Sequence, residues 1–119
     1  MGQTWNIYFY ADNNGKQPAK DFLHSLTTKE RAAFRTRLKY VKQKGLRVSR
    51  DVMTDLSDHR NLYRLKLLTH NNPRFLLCAL SGRRLYLLNG FKEQSKSDYN
   101  KAINIARRLR DHCEQKYRS

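Results

Sequence analysis

The 119-residue sequence is poor in acidic side chains, with 10 Asp and Glu against 25 Lys and Arg and a formal charge of +15. It has only two cysteines, Cys78 and Cys113, far apart and without the paired spacing of a zinc site. Neither a disulfide scaffold nor a metal knuckle is expected, and both thiols are read as reduced. No apolar run approaches the roughly 20 residues that a membrane-crossing helix needs. Segment 1–10 lacks the basic, then apolar layout of a secretory leader, so a cytoplasmic location with no membrane partner is expected. Internal repeats, low-complexity tracts and linkers are missing as well, and the length suits one domain over 1–119.

Against these absences stands a hydrophobic content of 39%, including 7 Tyr, 5 Phe and 1 Trp, which is enough for a small core and argues against disorder throughout. The positive excess works against compactness by self-repulsion and contributes nothing to the fold, so it implies an anionic partner. Nucleic acid is the first candidate, because each phosphate neutralised by Lys or Arg releases counterions and adds affinity of any sequence. An acidic protein surface is compatible with the same charge.

Trp5, Ile7, Tyr8, Phe9 and Tyr10 read as a first strand over 5–10, closed by the turn chemistry of Asp12, Asn13, Asn14 and Gly15. Pro18 suits a first helical turn, and Phe22, Leu23 and Leu26 give the short helix after it an apolar stripe. Thr27 or Thr28 caps a second helix over 29–44, in which Ala33, Phe34, Leu38 and Val41 recur at helical spacing before Gly45 at its end. The two helices are expected to form a hairpin. Residues 28–50 carry nine Lys or Arg and one Glu, most of them off that stripe, which suits a solvated face, phosphate contact or an acidic partner. Residues 46–61 read as an irregular connection. Three strands follow over 62–68, 74–80 and 85–91, joined by short turns at His70 to Pro73 and Ser81 to Arg83, so an antiparallel meander is expected. A helix over 98–116 closes the order β, α, α, β, β, β, α.

Alternation assigns Tyr63, Leu65 and Leu67 to a core and turns Arg64 and Lys66 together to the other face. Two like charges side by side on a sheet are unfavourable unless solvent or an anion intervenes, so this face is suited to phosphate. Arg74 begins the next strand, and pairing across the turn brings it beside Lys66. The exit of the last strand can return Lys92 and Tyr99 to the same face.

In the order of these pieces the sequence resembles the RelE/ParE superfamily of toxins from type II toxin-antitoxin systems, including its HigB-like and phage-derived Gp49-like members. The resemblance rests on Phe22, Leu23 and Leu26; on Leu62-Tyr63-Arg64-Leu65-Lys66 followed by a turn and Arg74; and on Leu87-Leu88-Asn89-Gly90-Phe91-Lys92 with a final helix. It lies in 61–108 and extends over nearly the whole chain. The implied fold is α+β and RelE-like: an N-terminal strand, a helical hairpin, a three-stranded antiparallel meander completing a four-stranded sheet, and a C-terminal helix. The implied activity is that of a ribosome-dependent mRNA endonuclease, or mRNA interferase, which needs no metal or cofactor. Its substrate is mRNA in the ribosomal A site, surrounded by ribosomal RNA. A cognate antitoxin, often with a helix-turn-helix domain, is the implied protein partner.

Arg64, Lys66, Arg74, Lys92 and Tyr99 match features of the RelE-type active site. In the implied reaction an RNA 2′-hydroxyl attacks its own 3′-phosphate. Tyr99 or Lys66 would take the proton, Arg64 and Arg74 hold the phosphorane, and Lys92 protonate the leaving 5′-oxygen. His59, just before the strand over 62–68 that carries Arg64 and Lys66, is a possible addition. The chain departs from many HigB-like relatives in having Glu93 and Gln94 where they have two adjacent Lys, and Asn89 where they have His. Two other functions remain open: a non-catalytic toxin of the ParE type that inhibits DNA gyrase, and a basic RNA-binding domain. Against the latter, the strands lack the aromatic pairs of a stacking platform.

Overall fold

The computed structural model describes residues 4–118, so residues 1–3 of the segment read for a leader lie outside the described residues. Strand β1 (Asn6–Phe9) ends before Asp12, whose Oδ1 accepts from the backbone N–H of Asn14 at 2.8 Å and of Lys16 at 2.9 Å, an Asx turn. Helix α1 (Pro18–Ser25) starts at Pro18, which has no N–H to leave unpaired there. Thr27 caps α2 (Thr28–Lys44) with a complete capping box. Its hydroxyl accepts from the Glu30 N–H at 3.1 Å, and the Glu30 carboxylate accepts from the Thr27 N–H at 2.9 Å. Gly45 ends α2 at φ 60°, where an added Cβ would lie 2.0 Å from Trp5 Nε1, so no larger residue fits.

The sequence led us to expect an irregular connection over 46–61, and the structure corrects this. The connection contributes β2 (Met53–Asp55), which pairs antiparallel with β3 (Tyr63–Lys66) in the register Met53↔Leu65, Thr54↔Arg64, Asp55↔Tyr63. Three residues show no periodicity of their own. Their backbone becomes a strand because β3 supplies the hydrogen-bond partners. The sheet therefore has five strands, not four, with β4 (Pro73–Leu80) and β5 (Arg84–Lys92) completing the order β1-β5-β4-β3-β2. The meander β3-β4-β5 is antiparallel as expected, while β1 runs parallel to β5. Asn71 and Asn72, both at positive φ, make the β3–β4 turn, and Gly82 and Arg83 do the same between β4 and β5.

Both faces of the sheet are covered. Leu65, Leu67, Phe75, Leu77, Leu85 and Leu87 pack on Ala19 and Leu26 around α1 and on Phe34 and Val41 of α2. The opposite face sets Leu62, Leu76, Cys78, Tyr86 and Leu88 against Ala102, Ile103, Ala106 and Cys113 of α3 (Lys96–Lys116). Central strands β4 and β5 are thus apolar on both sides, which is why they read as near-continuous hydrophobic runs. The two free cysteines meet in this second layer, Sγ to Sγ at 3.8 Å. That contact, followed by burial, raises the Cys78 thiol well above its usual range. Among the described residues no helix is long and apolar enough to cross a membrane.

Candidate active site

Pairing across the β3–β4 turn sets Lys66 directly opposite Arg74 and Arg64 opposite Leu76. Leu65 points into the α1–α2 layer, so alternation turns Arg64 and Lys66 toward the α3 side. On the next strand Arg74 stands opposite Phe91. The three cations predicted to converge do so, where the ends of β3 and β4 meet the first turn of α3. They line a cavity of about 540 Å³ that Tyr99 also borders. The guanidinium carbon of Arg64 lies 5.6 Å from the centroid of the Tyr99 ring, a cation–π contact, and the same ring packs against Phe91 at 6.5 Å.

The sequence did not reveal what stands between the arginines. Glu93, one residue beyond β5, accepts from Arg74 Nε at 3.0 Å and from Arg64 Nη1 at 3.2 and 3.3 Å. All three side chains are largely withdrawn from solvent, with 19, 13 and 24% of Arg64, Arg74 and Glu93 exposed. In the sequence Glu93 stands out only as a departure from the basic pair of relatives. The signal available was its position, one residue past the strand whose end pairs with Arg74.

Backbone bonds hold Glu93 in place. Its N–H donates to the Asn72 carbonyl at 3.0 Å, and its own carbonyl accepts from Asn72 Nδ2 at 3.3 Å. Gln94 Nε2 donates to Asn71 Oδ1 at 3.1 Å, so the β3–β4 turn and the β5–α3 link are tied together. Ser95 then caps α3, its hydroxyl accepting from the Asp98 N–H at 3.1 Å. This cap sets Lys96 and Tyr99, three residues apart on the first turn, against the cavity.

Two predicted residues fall elsewhere. Lys92 is exposed and does not line the cavity, because β5 stays extended through it and turns it away from the face that Phe91 shares with Tyr99. Lys96 lines the cavity instead. His59 belongs to the β2–β3 turn, where its neighbour Arg60 forms a two-pronged pair with Glu114 near the far end of α3. Tyr99 lies at the opposite end of α3, near its first turn. Asn89 is buried and donates to the Ala102 carbonyl at 3.2 Å, tying β5 to α3. Among the described residues no group of three or more His, Cys, Asp or Glu is placed to hold a metal ion.

Residues 21–111 match the sequence family described as phage derived protein Gp49-like (DUF891). The chain belongs to the Gp49-like family. That family comprises RelE-like toxins, and the matched span holds every residue of the cavity just described. No curated protein matches the chain. In this Gp49-like protein the cavity can hold a tetrahedral oxyanion: Arg64 and Arg74 offer planar donor forks, Lys66 and Lys96 add point charges, and Tyr99 brings a hydroxyl.

Proposed function

We propose that this Gp49-like protein is the toxin of a type II toxin-antitoxin module and cuts mRNA in the ribosomal A site. The observation that carries this reading is the convergence of Arg64, Lys66 and Arg74 with Tyr99 around one cavity. In the proposed reaction the RNA 2′-oxygen forms a bond to the adjacent phosphorus and the bond from phosphorus to the 5′-oxygen breaks. Lys66 or Tyr99 accepts the 2′-hydroxyl proton. Arg64 and Arg74 neutralise the charge that builds on the phosphorane, and losing one such donor typically costs about 100- to 1,000-fold in rate. Lys96, which lines the cavity where Lys92 does not, takes in this reading the role of protonating the departing 5′-oxygen. The products are a 2′,3′-cyclic phosphate and a free 5′-hydroxyl.

The surplus of basic charge supports docking among ribosomal RNA phosphates. It equally suits a cognate antitoxin with an acidic segment, including one that bears a helix-turn-helix domain. Primer extension on a reporter mRNA, with parent and Arg74→Ala proteins and with and without ribosomes, tests the assignment. Cuts that need ribosomes and vanish with Arg74→Ala are expected, and cuts at the parent rate from the variant would refute it.

One observation favours a second reading. The Glu93 carboxylate pairs with both arginines, and in a gyrase-directed toxin of the ParE type such a clamp would serve only to hold the β5–α3 link. Growth arrest by Arg74→Ala, with no mRNA cuts from the parent, would favour it.

A further inference from the structure

We propose that Glu93 is a resident anion: its carboxylate occupies the phosphate seat between Arg64 and Arg74, and a polyphosphodiester chain enters by displacing it. This rests on reading the cavity as a phosphate seat. The carboxylate oxygens accept from Arg74 Nε at 3.0 Å and from Arg64 Nη1 at 3.2 Å, the contacts a phosphate oxygen would otherwise take.

One carboxylate does not saturate the site. Arg64 Nε is buried without a partner. Lys66 and Lys96 line the same cavity, and neither side chain has a hydrogen-bonded or ionic partner among the described residues. The backbone of Glu93 is pinned to Asn72 on both sides of the residue, so exchange requires rotation of the side chain alone. With 24% of that side chain exposed, it has a route to solvent.

A carboxylate and a phosphodiester each bring one negative charge to the arginines, so that part of the exchange is nearly even. The advantage of the incoming chain comes from Lys66 and Lys96. The tethered carboxylate competes at high effective concentration, which a free small anion does not overcome. The device admits a chain of phosphates and turns away inorganic phosphate.

Isothermal titration of parent, Glu93→Gln and Asp51→Asn proteins with inorganic phosphate, and with a short 2′-O-methyl RNA, tests this directly. Glu93→Gln is expected to bind both ligands about tenfold more tightly or better, the scale of one charge-assisted contact. Asp51→Asn, which removes the same charge from an exposed turn, is expected to stay within about twofold of the parent. Equal binding by parent and a folded Glu93→Gln, or equal gains from both substitutions, would overturn the proposal.

If Glu93→Gln does not fold, the carboxyl carbon resonance of Glu93 in the parent replaces it. That signal is expected to move as RNA is added, and an unmoved signal at saturation overturns the proposal. Mechanism and regulation separate cleanly. Tighter phosphate binding by Glu93→Gln in a protein that leaves mRNA intact on ribosomes supports the resident anion while refuting the nuclease. Unchanged phosphate binding beside Arg74-dependent cuts does the reverse.

Discussion

Gly90 is the point where α1 rests on the sheet, and replacing it with alanine is expected to destabilise the protein sharply. Gly90 pairs with Phe75 on β4. A Cβ at Gly90 would lie 2.1 Å from Phe22 Cδ2, 2.7 Å from Cγ and 2.8 Å from Cε2. Carbon atoms in ordinary contact sit about 3.5 to 4.0 Å apart, so the ring must withdraw by more than about 1 Å. It is not free to do so alone, because it meets Phe75 edge-on at 5.3 Å and α1 is anchored beside it by buried Ala19 and Leu26. Overpacking of this kind costs about 1 to 3 kcal/mol, and involvement of two backbone elements places Gly90→Ala near about 3 kcal/mol. In a chain of this size each kcal/mol moves Tm by about 3 to 5 °C, so a fall of about 10 °C is expected. Thermal and urea unfolding followed by circular dichroism measures it, and Phe22→Ala in the same background should recover part of the loss. A Tm within about 2 °C of the parent would refute the close-approach argument. Because Phe91 and Glu93 follow directly, the same substitution should also loosen the Glu93 clamp on Arg64 and Arg74.

The Glu114 carboxyl is held down at about 2, against an ordinary value of 4.5, chiefly by its hydrogen bonds from Arg60. A depressed carboxyl contributes stability that is fully present above the unfolded value and lost as pH falls through the folded one. The stability gap between parent and Glu114→Gln should therefore shrink from about pH 5 to about pH 2 in urea melts, and a constant gap would refute the assignment. Thr27→Ala removes one arm of the capping box and is expected to cost about 1 kcal/mol by urea unfolding; no change would mean that the cap is redundant. Arg74→Ala should lower the slope of log affinity against log salt for a single-stranded RNA by about 0.7, one phosphate contact, and an unchanged slope would remove Arg74 from the RNA interface.

The elements with a strong period were legible before any coordinates. Helix α2 shows its stripe in Ala33, Phe34, Leu38 and Val41 and its start at Thr27 or Thr28, between which the structure chooses Thr27. The runs in β4 and β5 stand out because those strands are buried on both faces. The pairing of Lys66 with Arg74 was legible as well, since a short turn leaves an antiparallel register little freedom. Strand β2 was not, because its three residues owe their conformation to β3. Lys92 falls outside the cavity by one step of alternation: β5 continues through it, so it faces away from the cavity that Lys96 lines from the helix.

By itself, then, the sequence determined which side chains carry positive charge to one face of β3 and β4, because alternation and turn length are local properties of the chain. Only the tertiary structure decided what those charges meet. Glu93, 19 residues from Arg74 and 29 from Arg64, reaches both because Asn71 and Asn72 pin the β5–α3 link against the β3–β4 turn. No local pattern encodes a contact of that span; it exists only once two turns from different parts of the chain are packed side by side.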